Sequence, residues 1–333
     1  MIICPQNVYL VTGCVGFIGY HTTKNLLDKG HKVLGIDSMY PSPDLLVKEW
    51  RLSQLIEKNG FIFHRLDFCD MQNNSKIFTD TVNSLGELDA VIHLGGRAGV
   101  RQSVDSPYSY YDSNVLGTLN LLEFCRDFGV KKFIFASSSS LYSSVKDVPF
   151  SENANTDRTI SPYAASKKAA EELCFTYHYL HGIDITIFRF FSVYGPAGRP
   201  DMSPFRFVQA IIENIPLTFY GNGTQQRDFT YVEDIVNGIV KGLKPLGYDI
   251  INLGSGKPIS LKNLVCKIES ITGNSAQICY SKTDQADTII THACIKKAYG
   301  KIDWEPKNEI DYGLKKCVEW YEEERSWLRQ LIT

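Results

Sequence analysis

The sequence predicts an α/β protein with a doubly wound parallel sheet of the Rossmann class and a smaller C-terminal substrate-binding lobe. Short apolar, β-rich runs alternate with helical patterns through the first half of the chain. Three spaced glycines follow the first of these runs, and Gly30, Gly129 and Gly182 end three of the helical patterns. Strands and helices that alternate at this spacing form right-handed βαβ units, which build a parallel sheet.

Six strands are predicted in the first half, and most are apolar throughout, as strands buried on both faces should be. They are Val8 to Thr12, Lys32 to Asp37, Phe61 to Asp67, Ala90 to Leu94, Lys132 to Ser137 and Asp184 to Arg189. We expect residues 1–190 to form a dinucleotide-binding domain and residues 191–333 to form a substrate-binding lobe. The two are partly interleaved, because a later strand near Asp249 to Leu253 is expected to rejoin the large sheet.

Several helix boundaries follow from local chemistry. Ser106-Pro107 and Ser161-Pro162 each place a capping hydroxyl before a proline at the first helical position. After an irregular segment rich in glycine and proline, further helices are expected from about Pro204 and about Glu309.

The bulk composition excludes several classes of protein. A 333-residue chain with 44% hydrophobic and 22% charged residues is typical of a soluble globular protein, and a net charge of −2 gives no bulk attraction to nucleic acid or membranes. Nine cysteines without a Cys-x-x-Cys pair indicate reduced thiols in the cytoplasm, and no spacing suggests a metal site. We expect no signal peptide and, because no apolar run approaches ~18 residues, no membrane span.

The turn after the first strand has the pattern of a dinucleotide phosphate site. Gly13 permits a tight turn, Gly16 lets a pyrophosphate approach the backbone, and Gly19 lets the helix pack closely on the strand. Phe17 and Ile18 belong to the same predicted site, where the free N–H groups of the helix meet the phosphates. The alternative interpretation is a glycine turn with no ligand.

Residues at the ends of the next strands complete the predicted cofactor site. Asp37 lies 18 residues after Gly19, where a carboxylate binds the adenosine ribose and repels a 2′-phosphate. No arginine follows in the next three residues, so NAD is favoured over NADP. Asp67 can hydrogen-bond the adenine amino group or act as a helix N-cap, and Leu94 is assigned to the same pocket.

Tyr163, Lys167 and Ser138 are the predicted catalytic residues, and the first two also belong to the cofactor site. Tyr163 and Lys167 share one helix face, so an ammonium and a bound nicotinamide would both lower the pKa of the phenol. Ser138 follows a strand and would hydrogen-bond the reacting oxygen. Two other tyrosine–lysine pairs have the same spacing but lack these surroundings. They are Tyr142 with Lys146 and Tyr312 with Lys316.

With these motifs the chain resembles the extended short-chain dehydrogenases/reductases, in their nucleotide-sugar epimerase branch. The resemblance runs from Thr12-Gly13 to Trp304-Glu305-Pro306, and within the branch the chain is most similar to enzymes that act on UDP-glucuronate. The further matching stretches are Ala98-Gly99-Val100-Arg101, Asp112-Ser113-Asn114, the segment from Arg189 to Pro196, the segment from Gly198 to Met202, and the segment from Arg227 to Tyr231.

The resemblance implies roles for five more residues. Ser139, Ser140 and Ser192 occupy positions that face the carboxylate of the sugar. Arg199 stands where the family contacts its substrate, and Arg227 where it pairs with the UDP pyrophosphate. From the residues alone, each of the five could instead be a loop residue with no contact to a substrate.

The implied reaction is C4 epimerisation of UDP-glucuronate to UDP-galacturonate through a 4-keto sugar, with NAD regenerated in each cycle. Related dehydratases carry Asp-Glu in place of Ser139-Ser140, and related decarboxylases carry Glu in place of Ser140. A UDP-glucuronate decarboxylase, an epimerase of another UDP-sugar and a non-catalytic dinucleotide sensor remain alternatives. A sensor has no need of the base Tyr163, which argues against that last interpretation.

The resemblance also implies a homodimer, because the helices beginning at Pro107 and Pro162 correspond to the pair that forms a four-helix interface in the family. The chain departs from the family pattern in three places. Ser143 replaces a glycine, Gly95-Gly96 replace two alanines, and Cys294 replaces an aspartate. We expect the first two departures to reshape the cofactor pocket slightly.

Overall fold

A computed structural model of the protein describes residues 6–40, 44–70, 75–281 and 288–331. Within these ranges the strands are β1 (Val8–Thr12), β2 (Lys32–Asp37), β3 (Phe61–Arg65), β4 (Ala90–His93), β5 (Lys132–Ser138), β6 (Asp184–Phe190), β7 (Ser192–Tyr194), β8 (Leu217–Tyr220), β9 (Gln226–Arg227), β10 (Phe229–Tyr231), β11 (Tyr248–Leu253), β12 (Ile259–Ser260) and β13 (Ile278–Ser281).

The helices of the same ranges cover both faces of the main sheet and build the C-terminal region. They are α1 (Phe17–Asp28), α2 (Leu45–Ile56), α3 (Ser75–Leu85), α4 (Val100–Asp105), α5 (Pro107–Tyr111), α6 (Gly117–Asp127), α7 (Pro162–His181), α8 (Ser203–Ile212), α9 (Val232–Lys241), α10 (Leu261–Thr272), α11 (Lys296–Ile302), α12 (Ile310–Glu323) and α13 (Arg325–Leu328). None of these described helices is both long and apolar enough to cross a membrane.

The main sheet has seven parallel strands in the order β11-β6-β5-β4-β1-β2-β3, which confirms the predicted Rossmann-type fold. The chain runs outward from β1 in one direction through β2 and β3, and in the other through β4, β5 and β6. The order therefore reverses beside β1, and ligands of doubly wound sheets bind in the crevice at such a switch point.

The strand boundaries agree closely with the apolar pattern. The first two strands have the predicted limits, and the other four predicted in the first half differ by one or two residues. The strand β3 ends at Arg65 rather than Asp67, because the Asp67 carboxylate accepts a hydrogen bond from the N–H of Cys69 (2.9 Å) and turns the chain. β3 is an edge strand, which explains why its residues are only partly buried.

The C-terminal elements form small pairs of strands rather than a second large sheet. β7 pairs with β10, β8 pairs with β13, and β9 pairs with β12. β11 instead lies in the main sheet, parallel to β6, with Leu253 opposite Phe190. The chain therefore returns to the main sheet after it has built part of the region around the strand ends.

One of the two predicted serine caps is present. The Ser161 hydroxyl accepts a hydrogen bond from the N–H of Ala164 (3.2 Å) at the start of α7. The cap predicted at Ser106 is wrong, because its side chain makes no capping hydrogen bond to the start of α5. Ser106 also ends α4, and its ψ of 57° lies outside the extended conformation of a capping residue.

Candidate active site

Four loops meet at the carboxyl edge of the main sheet, around the switch point. They follow β1, β4, β5 and β6. Thr12 lies opposite His93 in the β1–β4 pair, and Ser138 lies opposite Phe190 in the β5–β6 pair. The glycine turn, the Leu94–Gly96 segment, the serine run and Ser192 therefore lie along one edge of the sheet.

The glycine turn is packed so tightly that a side chain is excluded at Gly13 and at Gly19. Gly13 has a φ of 64°, in the left-handed region, and a Cβ there would lie 2.7 Å from the Cα of Gly95. At Gly19 a Cβ would lie 1.9 Å from the carbonyl oxygen of Gly13. Glycine at both positions is therefore a requirement of the close packing between α1, β1 and β4.

The first turn of α1 has N–H groups available for an anion. Gly16 is the N-cap residue, its N–H donates to the Gly13 carbonyl (2.9 Å), and no described side chain caps this helix. The ring of Phe17 packs in the core against Val232 and Val236. Phe17 can thus contribute to a phosphate site only through its backbone. The same holds for any other residue of this turn whose side chain points into the core.

At the end of β2, Asp37 is buried beside a cation that the sequence reasoning missed. Its carboxylate accepts a hydrogen bond from the N–H of Met39 (2.9 Å) and lies 3.5 Å from the ammonium of Lys48. Lys48 lies on α2, 11 residues after Asp37 in the sequence. The prediction considered only an arginine in the three residues after Asp37. Lys48 is not evident from the sequence, because helix packing rather than sequence proximity brings it to Asp37.

The remaining predicted cofactor residues lie beside this region. The Leu94 N–H donates to the Thr12 carbonyl (3.3 Å), which places Leu94 beside the glycine turn. The Asp67 carboxylate is engaged with the N–H of Cys69, which corresponds to the capping role that the sequence left open.

The structure brings Tyr163, Lys167 and Ser138 together in a buried cluster. The Tyr163 hydroxyl is hydrogen-bonded to the Ser138 side chain, and Ser138 Oγ also accepts from the N–H of Ser140 (3.1 Å). The Lys167 ammonium donates to the carbonyl of Ala136 (3.0 Å). A hydroxyl pair and a buried cation thus converge at the end of β5.

Burial opposes the ionisation of both groups. It raises the pKa of Tyr163, while the Ser138 hydrogen bond and the charge of Arg199 act to lower it. Burial also lowers the pKa of Lys167 to about 8. The sequence predicts that Lys167 lowers the pKa of Tyr163. The structure shows no such lowering, because burial has the largest effect on this pKa and the cation that acts to lower it is Arg199.

The other two tyrosine–lysine pairs occupy different environments. The Tyr142 hydroxyl is buried, accepts from Arg189 (2.9 Å) and donates to Asn252 (2.8 Å), so it is part of the core. Tyr312 is 45% exposed, and Lys316 beside it is paired with Glu319 at 2.7 Å. This second pair lies on a helix surface.

A π-helical turn between α5 and α6, residues 112–116, carries a buried Asn114 that the sequence reasoning gave no role. Its amide accepts from the N–H of Arg97 (2.8 Å) and donates to the Arg97 carbonyl (3.0 Å) and to Ser166 Oγ (2.9 Å). A Cβ at Gly96 would lie 2.6 Å from the Asn114 amide oxygen and 3.3 Å from the Lys167 ammonium. Glycine at 96 therefore allows Asn114 and Lys167 to approach each other.

The structure explains only some of the departures from the family pattern. A Cβ at Gly95 would lie 2.5 Å from the ring of Phe68, so glycine at 95 makes room for that ring. Ser143 Oγ is buried with no hydrogen-bond partner among the described residues. The backbone of Cys294 pairs with the backbone of Phe150 (2.9 Å), and nothing in the structure explains the loss of an aspartate there.

The predicted carboxylate-facing serines lie at the ends of two neighbouring strands. Ser139 and Ser140 form a 3-10 turn directly after β5, and Ser192 begins β7, two residues after β6 ends. All three are partly exposed rather than buried in the core. The arrangement leaves three neutral hydroxyls on the same side of the sheet as Tyr163.

The two predicted substrate arginines have different surroundings. Arg199 pairs with Asp201 through two hydrogen bonds of 3.0 and 2.6 Å, and its charge reaches Tyr163. Arg227 lies in β9, and one of its N–H groups donates to the Gln226 carbonyl (2.9 Å).

A buried carboxylate, Asp228, organises this part of the site and was missed by the sequence reasoning. It accepts hydrogen bonds from the N–H and hydroxyl of Ser255 (2.6 and 2.7 Å) and from the N–H of Ala293 (2.9 Å). Its backbone carbonyl accepts from the N–H of Ser192 (3.0 Å). Asp228 thus connects the chain directly after Arg227 to Ser255 and Ala293 and holds Ser192 in place.

A second buried ionic network lies behind the serine run. Glu171, one turn after Lys167 on α7, accepts two hydrogen bonds from Arg189 (2.9 and 2.7 Å) and one from the hydroxyl of Ser137 (2.6 Å). Satisfied buried networks of this kind are rigid, and losing one member is costly. The network connects α7 to β5 and β6 immediately below Ser138 and Tyr163.

Comparison with known proteins agrees with this architecture. The family model described as "NAD dependent epimerase/dehydratase family" matches residues 9–254. A UDP-glucuronate 4-epimerase of Thermodesulfobacterium geofontis is 48% identical over 319 residues, which cover 96% of this chain and 97% of that protein.

Solved structures show the same similarity. The UDP-glucuronic acid 4-epimerase of Bacillus cereus, in complex with UDP-glucuronic acid and NAD, superposes with a TM-score of 0.87 and 33% identity, over 95% of this chain and 99% of that one. The UDP-glucose 4-epimerase of Thermotoga maritima, with UDP-glucose, also gives 0.87, at 28% identity, over 96% of this chain and 99% of that one. With its Rossmann-type sheet, its glycine turn and these relatives, the chain belongs to the NAD-dependent epimerase/dehydratase family.

Proposed function

We propose that the protein is an NAD-dependent UDP-glucuronate 4-epimerase that forms UDP-galacturonate. The observation that carries the proposal is the chemistry beside the Tyr163–Ser138 pair, where Ser139 and Ser140 offer neutral hydroxyls. Its 48% identical relative has the same activity in its name, which supports this choice. We assign the main sheet to the dinucleotide and the C-terminal elements after residue 190 to the UDP-sugar.

The residues at the switch point fit a dinucleotide. A side chain is excluded at Gly13 and at Gly19, and the first turn of α1 presents N–H groups to a pyrophosphate. Asp37 lies at the end of β2, where it can bind the adenosine ribose. We also assign to this site Gly16, Phe17, Ile18, Asp67, Leu94, Tyr163 and Lys167. When bound there, NAD would supply reversible hydride transfer at C4 of the sugar.

Tyr163 is the proposed acid–base residue, because its hydroxyl is hydrogen-bonded to Ser138 at the carboxyl edge of the sheet. It takes the proton of the 4-hydroxyl during oxidation and gives it back during reduction, while Ser138 hydrogen-bonds the sugar oxygen. Lys167, held by the Ala136 carbonyl, contributes positive charge below this pair. Arg199 contributes charge from the other side and contacts the substrate.

The hydroxyls of Ser139, Ser140 and Ser192 are proposed to hold the sugar carboxylate. Oxidation at C4 makes this sugar a β-keto acid. Such an acid loses CO₂ readily when the C–C bond to its carboxylate overlaps with the π system of the ketone. Neutral donors hold the carboxylate near the ring plane without repelling it, so that this overlap is poor. Arg227 is proposed to pair with the UDP pyrophosphate.

Two further features belong to the proposal. The chain forms a homodimer through the helical segment that begins at Pro107 (α5, the π-helical turn and α6) and through α7, supported by the exposed apolar side chains of Tyr108, Leu116 and Leu180. The enzyme is cytoplasmic, supported by the free thiols of all eight described cysteines.

The purified protein should carry tightly held NAD(H), because the cycle regenerates NAD⁺ and never requires its release. Denaturing fresh protein should liberate the dinucleotide, which can be identified by chromatography. Gly19→Ala should lose it, since the added methyl would lie 1.9 Å from the Gly13 carbonyl oxygen. Gly300→Ala is the control, because no heavy atom lies within 4 Å of that added methyl. Wild-type protein that is empty and does not bind added NAD would contradict the assignment.

Tyr163→Phe should reduce turnover by about 10²- to 10⁴-fold and leave NAD binding intact, because only the acid–base hydroxyl is removed. Turnover of UDP-glucuronate and dinucleotide content can be measured on the same preparation. Tyr312→Phe is the matched control, since Tyr312 has the same spacing to a lysine but lies on a helix surface. Near-normal turnover in Tyr163→Phe would refute its role.

Wild-type protein should convert UDP-glucuronate to UDP-galacturonate with little CO₂, as followed by NMR of the sugar products. Ser140→Ala and Ser192→Ala should slow epimerisation and raise the yield of CO₂ and a UDP-4-keto-pentose. A hydrogen bond to a charged group contributes roughly 1.5–3 kcal/mol, which corresponds to about a tenfold to hundredfold change. Ser144→Ala is the control, because that hydroxyl donates to the Arg158 carbonyl.

Two outcomes would correct this part of the proposal. A UDP-pentose as the main wild-type product would identify a decarboxylase instead. Serine variants that release no more CO₂ than wild type would remove the protective role while leaving the epimerase assignment intact.

Light scattering at micromolar concentration should give the mass of a dimer. Tyr108 is 86% exposed on α5 and would be covered in a two-fold interface of α5 and α7. Tyr108→Asp should therefore shift the protein toward monomer, whereas Tyr299→Asp, a change at an exposed tyrosine on α11, should not. A monomeric wild type would overturn the assignment.

A further inference from the structure

Arg51 is a fully buried arginine that the proposed chemistry does not use. It lies on α2 with none of its surface exposed, and its guanidinium is bound mainly by backbone carbonyls. The nearest acid is Asp44, 3.7 Å away. Burial lowers the pKa of Arg51 to about 10, so the group is still a cation at neutral pH. Burying a cation is costly unless it is paired and hydrogen-bonded, so Arg51 depends on its ion pair with Asp44 and on the carbonyls that accept its hydrogen bonds.

The carbonyls that bind Arg51 belong to two different parts of the site. One edge of the guanidinium donates to the carbonyl of Val15, in the glycine turn (3.1 Å). The rest of the fork donates to Ala197 (3.0 and 2.7 Å) and Gly198 (3.1 Å). This second segment directly precedes Arg199, the proposed substrate contact. A planar fork can bridge carbonyls on two sides in a way that a point-like ammonium cannot.

The segment held by Arg51 has an unusual backbone and a second anchor. Ala197 has a φ of 51°, in the left-handed region that is unfavourable for alanine. His21 of α1 pairs through Nε2 with the Pro196 carbonyl (2.9 Å). Burial lowers the pKa of His21 to about 4, so its neutral ring donates this bond at neutral pH. Both anchors therefore come from the two helices that follow the first two strands.

We propose that Arg51 is a positioning residue that locks the segment carrying Arg199 to the glycine turn of the dinucleotide site. Through this lock, occupancy of the dinucleotide site fixes where Arg199 lies relative to Tyr163. The kinetic consequence rests on the proposed function, whereas the mechanical coupling between the two loops does not.

Hydrogen–deuterium exchange tests the coupling without any substrate. In wild-type protein, saturating NAD should slow exchange in peptides covering residues 195–201 as well as in the glycine turn. Arg51→Lys keeps the positive charge but loses the fork, so it should still bind NAD while the response at 195–201 is lost. Arg325→Lys makes the same change at an exposed arginine paired with Glu213 and should behave as wild type.

The kinetic measurement separates positioning from simple destabilisation. Arg51→Lys should lower kcat per folded, NAD-bound molecule by about 10- to 100-fold, because a displacement of about 1 Å has such an effect on a reacting geometry. When Arg199→Lys is combined with Arg51→Lys, the losses should be clearly less than multiplicative, since both act through one contact. A purely structural role would lower the melting temperature and leave this kcat unchanged.

The outcomes are decisive in each direction. No NAD-dependent protection of 195–201 in wild type, or full protection retained in Arg51→Lys, would overturn the inference. If Arg51→Lys does not fold, His21→Phe removes the second anchor and keeps an aromatic ring there, and it should weaken the same protection. If wild type does not act on UDP-glucuronate, the proposed function fails and the exchange experiment alone decides the coupling.

Discussion

The close approach between the Gly13 carbonyl and the first turn of α1 determines where every other part of the site lies. The absence of a Cβ at Gly19 allows α1 to pack directly on the end of β1, and the same turn contacts Gly95 at the end of β4. Since β4 is followed in the sheet by β5 and β6, their loops extend along the same edge. The glycine turn therefore sets the distance between a dinucleotide and the proposed catalytic residues at the end of β5 and on α7.

Three buried ionic groups hold the loops of the site, and they do so by different means. Glu171 and Arg189 form a mutual pair that supports the serine run from below. Asp228 collects backbone and hydroxyl donors and fixes the chain around Ser192. Arg51 instead donates hydrogen bonds to backbone carbonyls. Buried charges of this kind add little net stability, but they penalise any other arrangement of the loops they bind.

The sequence was sufficient for most parts of the structure that depend on local chemistry, although the Ser-Pro pattern failed to predict the cap at Ser106. Apolar runs, glycine turns and the Ser161-Pro162 cap are each encoded within a few residues, and the strands they predicted were found within two residues. The contact of Lys48 with Asp37 is different, because it depends on how α2 packs. Asn114 depends on a π-helical turn, and no residue pattern in the chain predicts such a turn. Asp228 joins strands and loops separated by 65 residues, so its role appears only in the folded chain.

The ionisation of the proposed catalytic residues shows why these long-range contacts matter. Burial raises the pKa of the Tyr163 phenol and lowers the pKa of Lys167, so an isolated tyrosine–lysine pair in this core would be a poor base at neutral pH. The Ser138 hydrogen bond and the Arg199 charge both act in the opposite direction. Arg199 belongs to a segment that is anchored by Arg51 and His21, both from helices beside the glycine turn. The basicity of Tyr163 thus depends on where that segment is held, which connects the dinucleotide and substrate sides of the site electrostatically.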